Sequence, residues 1–396
     1  MKHLFYLFFL IIISVFYISC KNDSTLKRDE AEFTISITED SLKNEYKGKL
    51  SELVDSYRFI NLEVTDESLI VEIRKIRFYD NKIFILDIKN KKGVLVFDTT
   101  GKYLYTIGRM GNGPAEFADL KSFTINKSTN QVILLDSEGR KLIYYPLDEE
   151  LISEKRLKDA YSNIEMLGEN HMVTTLDWTK SGHKLHLFDT KGNKREEMFT
   201  FKPYHFMDTH KPFILYKDTL LYMQKYNDTV YQITPGGVIG VHTIVDYGEH
   251  RVTEDKLEKH ASRPTWNPKV DCMEGTRHYT ETLEHIYFLF EYTTMEPDSP
   301  YYVLYNKKNK KSTIYTNAIF NDVSFYPYAP QIRDVNSEDE YISVMEAYIL
   351  LKSYKEAKAD YDKWDEDTRK RYDDMQDFIN TLDNDSNPVL MLLKFK

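Results

Sequence analysis

Cysteine is almost absent from this chain: Cys20 and Cys272 are the only two in 396 residues. Cys272 has no evident partner, so a disulfide-stapled fold is excluded and a hydrophobic core must hold the chain together. Lysine and arginine never cluster with interleaved aromatics, and the net charge is −10. A nucleic-acid binder shows a basic stripe, so that class is excluded. The run Lys307, Lys308, Lys310 and Lys311 reads as a solvated hairpin turn. Catalytic signatures are missing too. The 11 histidines form no H-E-x-x-H and no Cys/His ligand cluster, and His205 and His210 read as polar loop residues. No G-x-S-x-G elbow occurs. The glycine-rich loop at 108–113 lacks the Lys-Ser/Thr of a phosphate cradle and precedes no helical pattern, so it reads as a tight turn. No catalytic residue, metal site or cofactor is expected. The one long apolar run, residues 4–18, falls short of the ~20 residues of a membrane-spanning helix.

Aromatic residues are abundant: 30 Tyr and 22 Phe suit strands, whose half-buried pleats accommodate rings. At 94–117 the chain reads VLVFDTTGKYLYTIGRMGNGPAEF: a short apolar run, a polar turn, a second run and a glycine-rich loop. A shortened echo, LFDTKGNKREEMF, begins at Leu187. A recurring strand–turn–strand unit predicts a repeat fold. Four strands per unit are expected at 73–78, 82–86, 93–97 and 103–107, then at 122–125, 131–135, 142–145 and 152–155. Three more units follow, at 164–199, 213–245 and 277–315. The third strands carry Phe97, Tyr145, Phe188 and Tyr231 at steps of 48, 43 and 43 residues, the period of four-stranded propeller blades. A sixth blade is assembled from 324–326, 340–345, 388–395 and, from the other chain end, 56–62. The predicted fold is all-β, a six-bladed β-propeller closed by N- and C-terminal strands, with a C-terminal helical insert at about 346–383. In that insert Tyr361, Trp364, Thr368, Met375, Ile379 and Leu382 fall on one face, predicting a core-covering helix. The predicted divisions are a signal at 1–19, a polar flexible tether at 20–52 and the propeller at 53–396.

The N-terminus, with Lys2, the apolar run and Tyr17-Ile18-Ser19-Cys20, resembles a bacterial lipoprotein signal, in which cleavage before the cysteine exposes it for acylation. Cys20 is the expected lipidation site. The segments FDTTGK at 97–102 and GRMGNGPAEF at 108–117 resemble those of six-bladed, NHL-repeat-like β-propeller lipoproteins of Bacteroides-type bacteria. That family usually has Gly where Ala115 stands. The resemblance implies a lipid-anchored protein of the cell envelope, expected at the outer membrane, on its periplasmic face or at the cell surface. Lys21-Asn22-Asp23 resembles a surface-export signal. Asp40-Ser41-Leu42, Asp218-Thr219-Leu220 and Asp228-Thr229-Val230 resemble O-glycosylation acceptors of the same bacterial group, and turn chemistry also explains them.

In a propeller, the strand-two-to-three and blade-to-blade connections share one face. The long connections at 201–212, 248–276, 293–300 and 346–387 all fall in those classes, so one face is built up. Loops on a rigid scaffold are where function concentrates. Arg109, Glu116, Trp178, Tyr204 and Trp266 are the candidate contacts, since Trp and Arg anchor recognition sites. The expected function is a monomeric envelope binding or scaffolding protein, recognising a peptide, glycan or protein partner on that face. The alternative is a propeller hydrolase or lyase acting on polysaccharide or peptide.

Overall fold

The computed structural model describes residues 30–90, 93–148, 152–168, 171–175, 182–189, 191–200, 211–217, 219–224, 226–253, 255–256, 276–292 and 300–396. Second strands such as Lys82–Asp87 and Gln131–Asp136 are continuous apolar runs because both their faces are covered. Along Lys82–Asp87, Ile83 and Ile85 pack with Leu390 and Leu392, while Phe84 and Leu86 pack with Phe123 and Leu134. This two-residue alternation places each blade between two neighbours. Six apolar clusters result, one between each successive pair of blades, and the last joins the sixth blade to the first. The molecule is a six-bladed β-propeller of antiparallel sheets.

The ring closes as expected. Val54–Ile60, from the N-terminal side, pairs antiparallel with Val389–Phe395, which pairs with Tyr341–Met345. The inner strand of this blade is Ile332–Val335, not 324–326. Phe325 instead has a positive φ of 54° and packs edge-on against Tyr354 and Tyr372 of the helical insert. That insert is two helices, Ala347–Ala357 and Glu366–Ile379, joined by the 3₁₀ turn Lys358–Lys363. Tyr354 and Tyr372 stack at 4.0 Å, and each hydroxyl donates to the other residue's carbonyl oxygen. Thr368, Tyr372, Met375 and Ile379 form the buried face of the second helix. The insert does cover core, as its spacing predicts.

The flexible tether expected at 20–52 needs correction over its described part. Phe33–Ser36 pairs in parallel with Thr243–Asp246, as a fifth strand on the outer edge of blade four. The chain then runs along blade five, where Tyr46 N donates to Ile314 O at 2.7 Å and Leu50 is fully buried. Phe33, Ile35 and Ile37 alternate with polar residues, a strand period hidden by acidic neighbours. Covering sheet edges also blocks unwanted strand pairing. Ser41 takes part in the capping box of Glu39–Lys43 at the surface, whereas Asp228, Thr229 and Val230 are buried, so the tripeptide at Asp228 is not presented as an open sugar acceptor.

The two echoing turns are equivalent connections between strands three and four. Asp98 Oδ1 accepts from Thr100 N, Thr100 Oγ1 and Lys102 N, and Asp189 accepts from Lys191 N and Asn193 N. Gly101 has a φ of 94°, and a Cβ there would lie 2.1 Å from Asn61 O. In the glycine-rich bridge, Ala115 itself adopts a positive φ of 60°. Only glycine does this without steric cost. Ala115→Gly is expected to leave the fold intact and to be neutral or stabilising by up to ~1 kcal/mol, read as an unchanged or raised urea midpoint. A clear destabilisation would mean that the methyl contributes more by packing than it costs in strain.

Candidate functional site

Each inner strand begins where a blade-to-blade connection ends, so the starts of all six lie at one end of the central channel. Those starts repeatedly carry a cation: Arg74, Lys75 and Arg77 in blade one, Lys121 in blade two, Lys211 ahead of blade four and Arg333 in blade six. They surround a cavity of about 60 Å³, in which the carboxylates among the described residues are Glu165 and Asp334. A chain with a net charge of −10 therefore has, among the described residues, a channel mouth with an excess of positive charge.

The carboxylates are fully engaged. Glu165, 1% exposed, lies 2.9 Å from Lys75 Nζ, pairs with Arg77 and accepts from Thr124 Oγ1. Arg77 also pairs with Asp334, which lies 3.2 Å from Lys211. The chain of charges Lys75–Glu165–Arg77–Asp334–Lys211 thus links blades one, three, four and six across the axis. Burial alone would raise the Glu165 pKa, but Arg77, Lys75 and the hydrogen bonds hold it at about 2. Burial pushes Lys75 down to about 8 against the pull of Glu165, so both partners stay charged at neutral pH. Two carboxylates held this way are not free for general acid–base work. Within the cavity the buried Ser122 hydroxyl has no hydrogen-bond partner among the described residues.

Arg333 differs from the other channel cations. Among the described residues its guanidinium has neither a hydrogen bond nor an ion pair, and its side chain is exposed to the channel, where the surrounding protein lowers its pKa. It also lines a second cavity of about 230 Å³ beside the helical insert, with Tyr326, Tyr328, Gln331, Ser343 and Glu346. Ser343 is 1% exposed and its hydroxyl is unpartnered. Glu346 precedes the first helix of the insert, and burial raises its pKa despite Arg333. Its carboxylate makes no hydrogen bond among the described residues.

Of the residues singled out from sequence, Arg109 and Glu116 are brought together, with Arg109 Nε 2.9 Å from Glu116 Oε1. Glu116 also accepts from Gly113 N at 2.8 Å and so closes its own loop. The Gly113 contact and Arg109 hold its pKa low. Neither residue lines either cavity. Cys20, Trp178, Tyr204 and Trp266 lie outside the described residues. Among the described residues no helix is long and apolar enough to cross a membrane, and no group of three His, Cys, Asp or Glu is placed to hold a metal ion. Sequence reading missed the channel cations because each blade supplies them separately. The available signal was Lys or Arg recurring where inner strands begin.

The sequence pattern of a family described as a domain of unknown function (DUF4934) matches residues 32–394. No curated protein matches the sequence. Among solved structures, a Bacteroides fragilis protein described as exported superposes with a TM-score of 0.75 at 16% identity, covering 92% of this chain and 99% of that one. A DUF4221 family member from Bacteroides vulgatus superposes with a TM-score of 0.50 at 9% identity, covering 87% and 98%. At such identities the likeness is one of fold.

Proposed function

We propose, from the premise that this chain belongs to the DUF4934 family, that it is an exported binding protein of the cell envelope. It holds a peptide, glycan or protein partner over the channel mouth, on the face where the helical insert rises. One observation carries the reading: the carboxylates at this mouth are saturated by cations, while Arg333 stands exposed and unpaired at its edge. That is a surface prepared to bind rather than to turn over a substrate. For the hydrolase or lyase alternative, Glu165 and Asp334 are tied up in ion pairs, which among the described residues of the two cavities leaves Glu346 as the carboxylate it would have to use. Export agrees with the lipoprotein-like N-terminus and with the fold shared with a B. fragilis protein described as exported.

In this reading Cys20 carries the lipid, and the molecule acts as a monomer tethered to the outer membrane. Residues 21–32 would then span at most about 40 Å, which keeps blade four near the bilayer. Cys20→Ala is expected to abolish incorporation of labelled fatty acid and move the protein from the membrane fraction to the soluble one. Unchanged fractionation would remove the anchor. Binding itself is tested by offering the purified full chain a panel of neutral and acidic saccharides and peptides. Saturable binding to one class is expected, and none to any class overturns the reading.

A further inference from the structure

The second cavity holds an unusual set of unused groups. Arg333 is a solvent-facing cation with no counterion in contact, and Glu346 is a half-buried carboxylate with no hydrogen bond. The two line the same pocket without forming an ion pair. Ser343, on the second strand of the same blade, contributes a buried hydroxyl with no partner. Buried polar groups are nearly always satisfied, so an orphaned one calls for an explanation. Ser343 is such a group, and with the unpaired charges of Arg333 and Glu346 around the same opening a ligand would supply partners to all three.

The walls restrict what that ligand is. Asn321 and Gln331 also line the pocket, but they serve the fold. Asn321 Nδ2 donates to Tyr328 O and its Oδ1 accepts from Ser324 N, while Gln331 bonds the Tyr302 hydroxyl. Tyr326 and Tyr328 present rings, and Tyr328 is 48% exposed. A volume of about 230 Å³ is smaller than a site that encloses a drug-sized molecule. It admits one ring-sized unit with the rest of the ligand outside. The guanidinium fork matches a carboxylate in two parallel hydrogen bonds. Ser343 and Glu346 suit hydroxyl groups, and the tyrosine rings suit the apolar face of a saturated ring.

We propose that Arg333, Ser343, Glu346 and the two tyrosines form a subsite for an acidic sugar unit, its carboxylate on Arg333 and its hydroxyls on Ser343 and Glu346. This rests on the binding function above and names its ligand class. The neighbouring cations Lys211 and Arg77 add a favourable field but are already paired.

The test is calorimetric titration of the full chain with D-glucuronate, a uronate disaccharide, D-glucose and a short acidic peptide. Both uronates are expected to bind, with glucose at least tenfold weaker. Arg333→Gln is expected to weaken uronate binding by roughly ten- to hundredfold, the effect of losing a charge-assisted pair. Arg333→Lys, which keeps the charge and loses the fork, should fall between. Ser343→Ala tests the hydroxyl contact with a smaller loss. The side chain of Arg333 makes no bond within the fold, so the melting temperature of unliganded R333Q should match the parent, separating lost binding from lost structure. Equal binding of glucose and glucuronate, or an unaffected R333Q, overturns the proposal. Peptide binding without uronate binding overturns it while leaving the binding function standing, and failure of every ligand class removes both.

Discussion

Glu165→Gln is expected to destabilise the propeller by about 3–5 kcal/mol, the usual result of removing one partner from a buried charge pair. The amide can still accept from Thr124, so little packing is lost. What is lost is the negative charge. Lys75 then has no carboxylate, and Arg77 keeps only Asp334. Both cation side chains are largely buried, 14% and 13% exposed, so water replaces the missing partner only in part. A second substitution tests the cause. Glu165→Gln with Lys75→Met removes the stranded ammonium and should recover part of the loss, so the two changes are not additive. The pH dependence follows from the same pair. Glu165 is held at about 2, below the glutamate value of 4.5, so its contribution is complete above about pH 4.5 and is lost as the pH falls towards 2. The parent should lose stability over that acid range more steeply than the Gln variant. Urea midpoints for the two variants across that pH range decide it. If E165Q unfolds within 1 kcal/mol of the parent at neutral pH, the network contributes no more than a surface pair.

The contrast between blades and site shows what local sequence can carry. A second strand such as Lys82–Asp87 announces itself because both faces are buried and the run is unbroken. The turn at Asp98 announces itself because its aspartate and Gly101 are demanded by local geometry. The closing strand Val389–Phe395 was legible for the same reason as the other apolar runs. Where two distant segments share an environment, the local signal misleads. Phe325 looks like part of a strand but serves as a packing surface for the insert, and the true inner strand at Ile332–Val335 carries Arg333 and Asp334 and looks polar. Tyr372, four residues after Thr368 and three before Met375, shares the buried helical face and belongs to the same periodic pattern, although it was not singled out. The site was illegible for the most general reason. Arg77, Glu165, Lys211 and Asp334 become neighbours only when the ring closes, and no window of sequence contains them together.

Starting the chain at residue 50 is expected to cost more than any single substitution, even though the residues removed are mostly polar. Ile35, Ile37 and Leu42 are buried between the N-terminal segment and blades four and five. A fully buried Ile or Leu is worth about 1.5–3 kcal/mol, so their loss amounts to roughly 5–9 kcal/mol before relaxation. A polar cost comes with it. Lys307 lies between the rings of Phe33 and Tyr216 and pairs with buried Glu281, which lies 2.7 Å from His242. Removing Phe33 opens that cluster to solvent on one side. The pairing of Phe33–Ser36 with Thr243–Asp246 also disappears, which leaves the outer strand of blade four with free backbone donors and acceptors. Two readouts follow: a lower melting temperature and concentration-dependent self-association by light scattering. The single change Ile35→Asp, which places a carboxylate in the same cluster without shortening the chain, should reproduce the first and weaken the edge pairing behind the second. If the chain beginning at residue 50 melts with the parent and stays monomeric, the segment is a passive linker that merely rests on the propeller. If it behaves as expected, the N-terminal segment is a structural part of blades four and five, and any lipid at Cys20 holds the propeller by that edge.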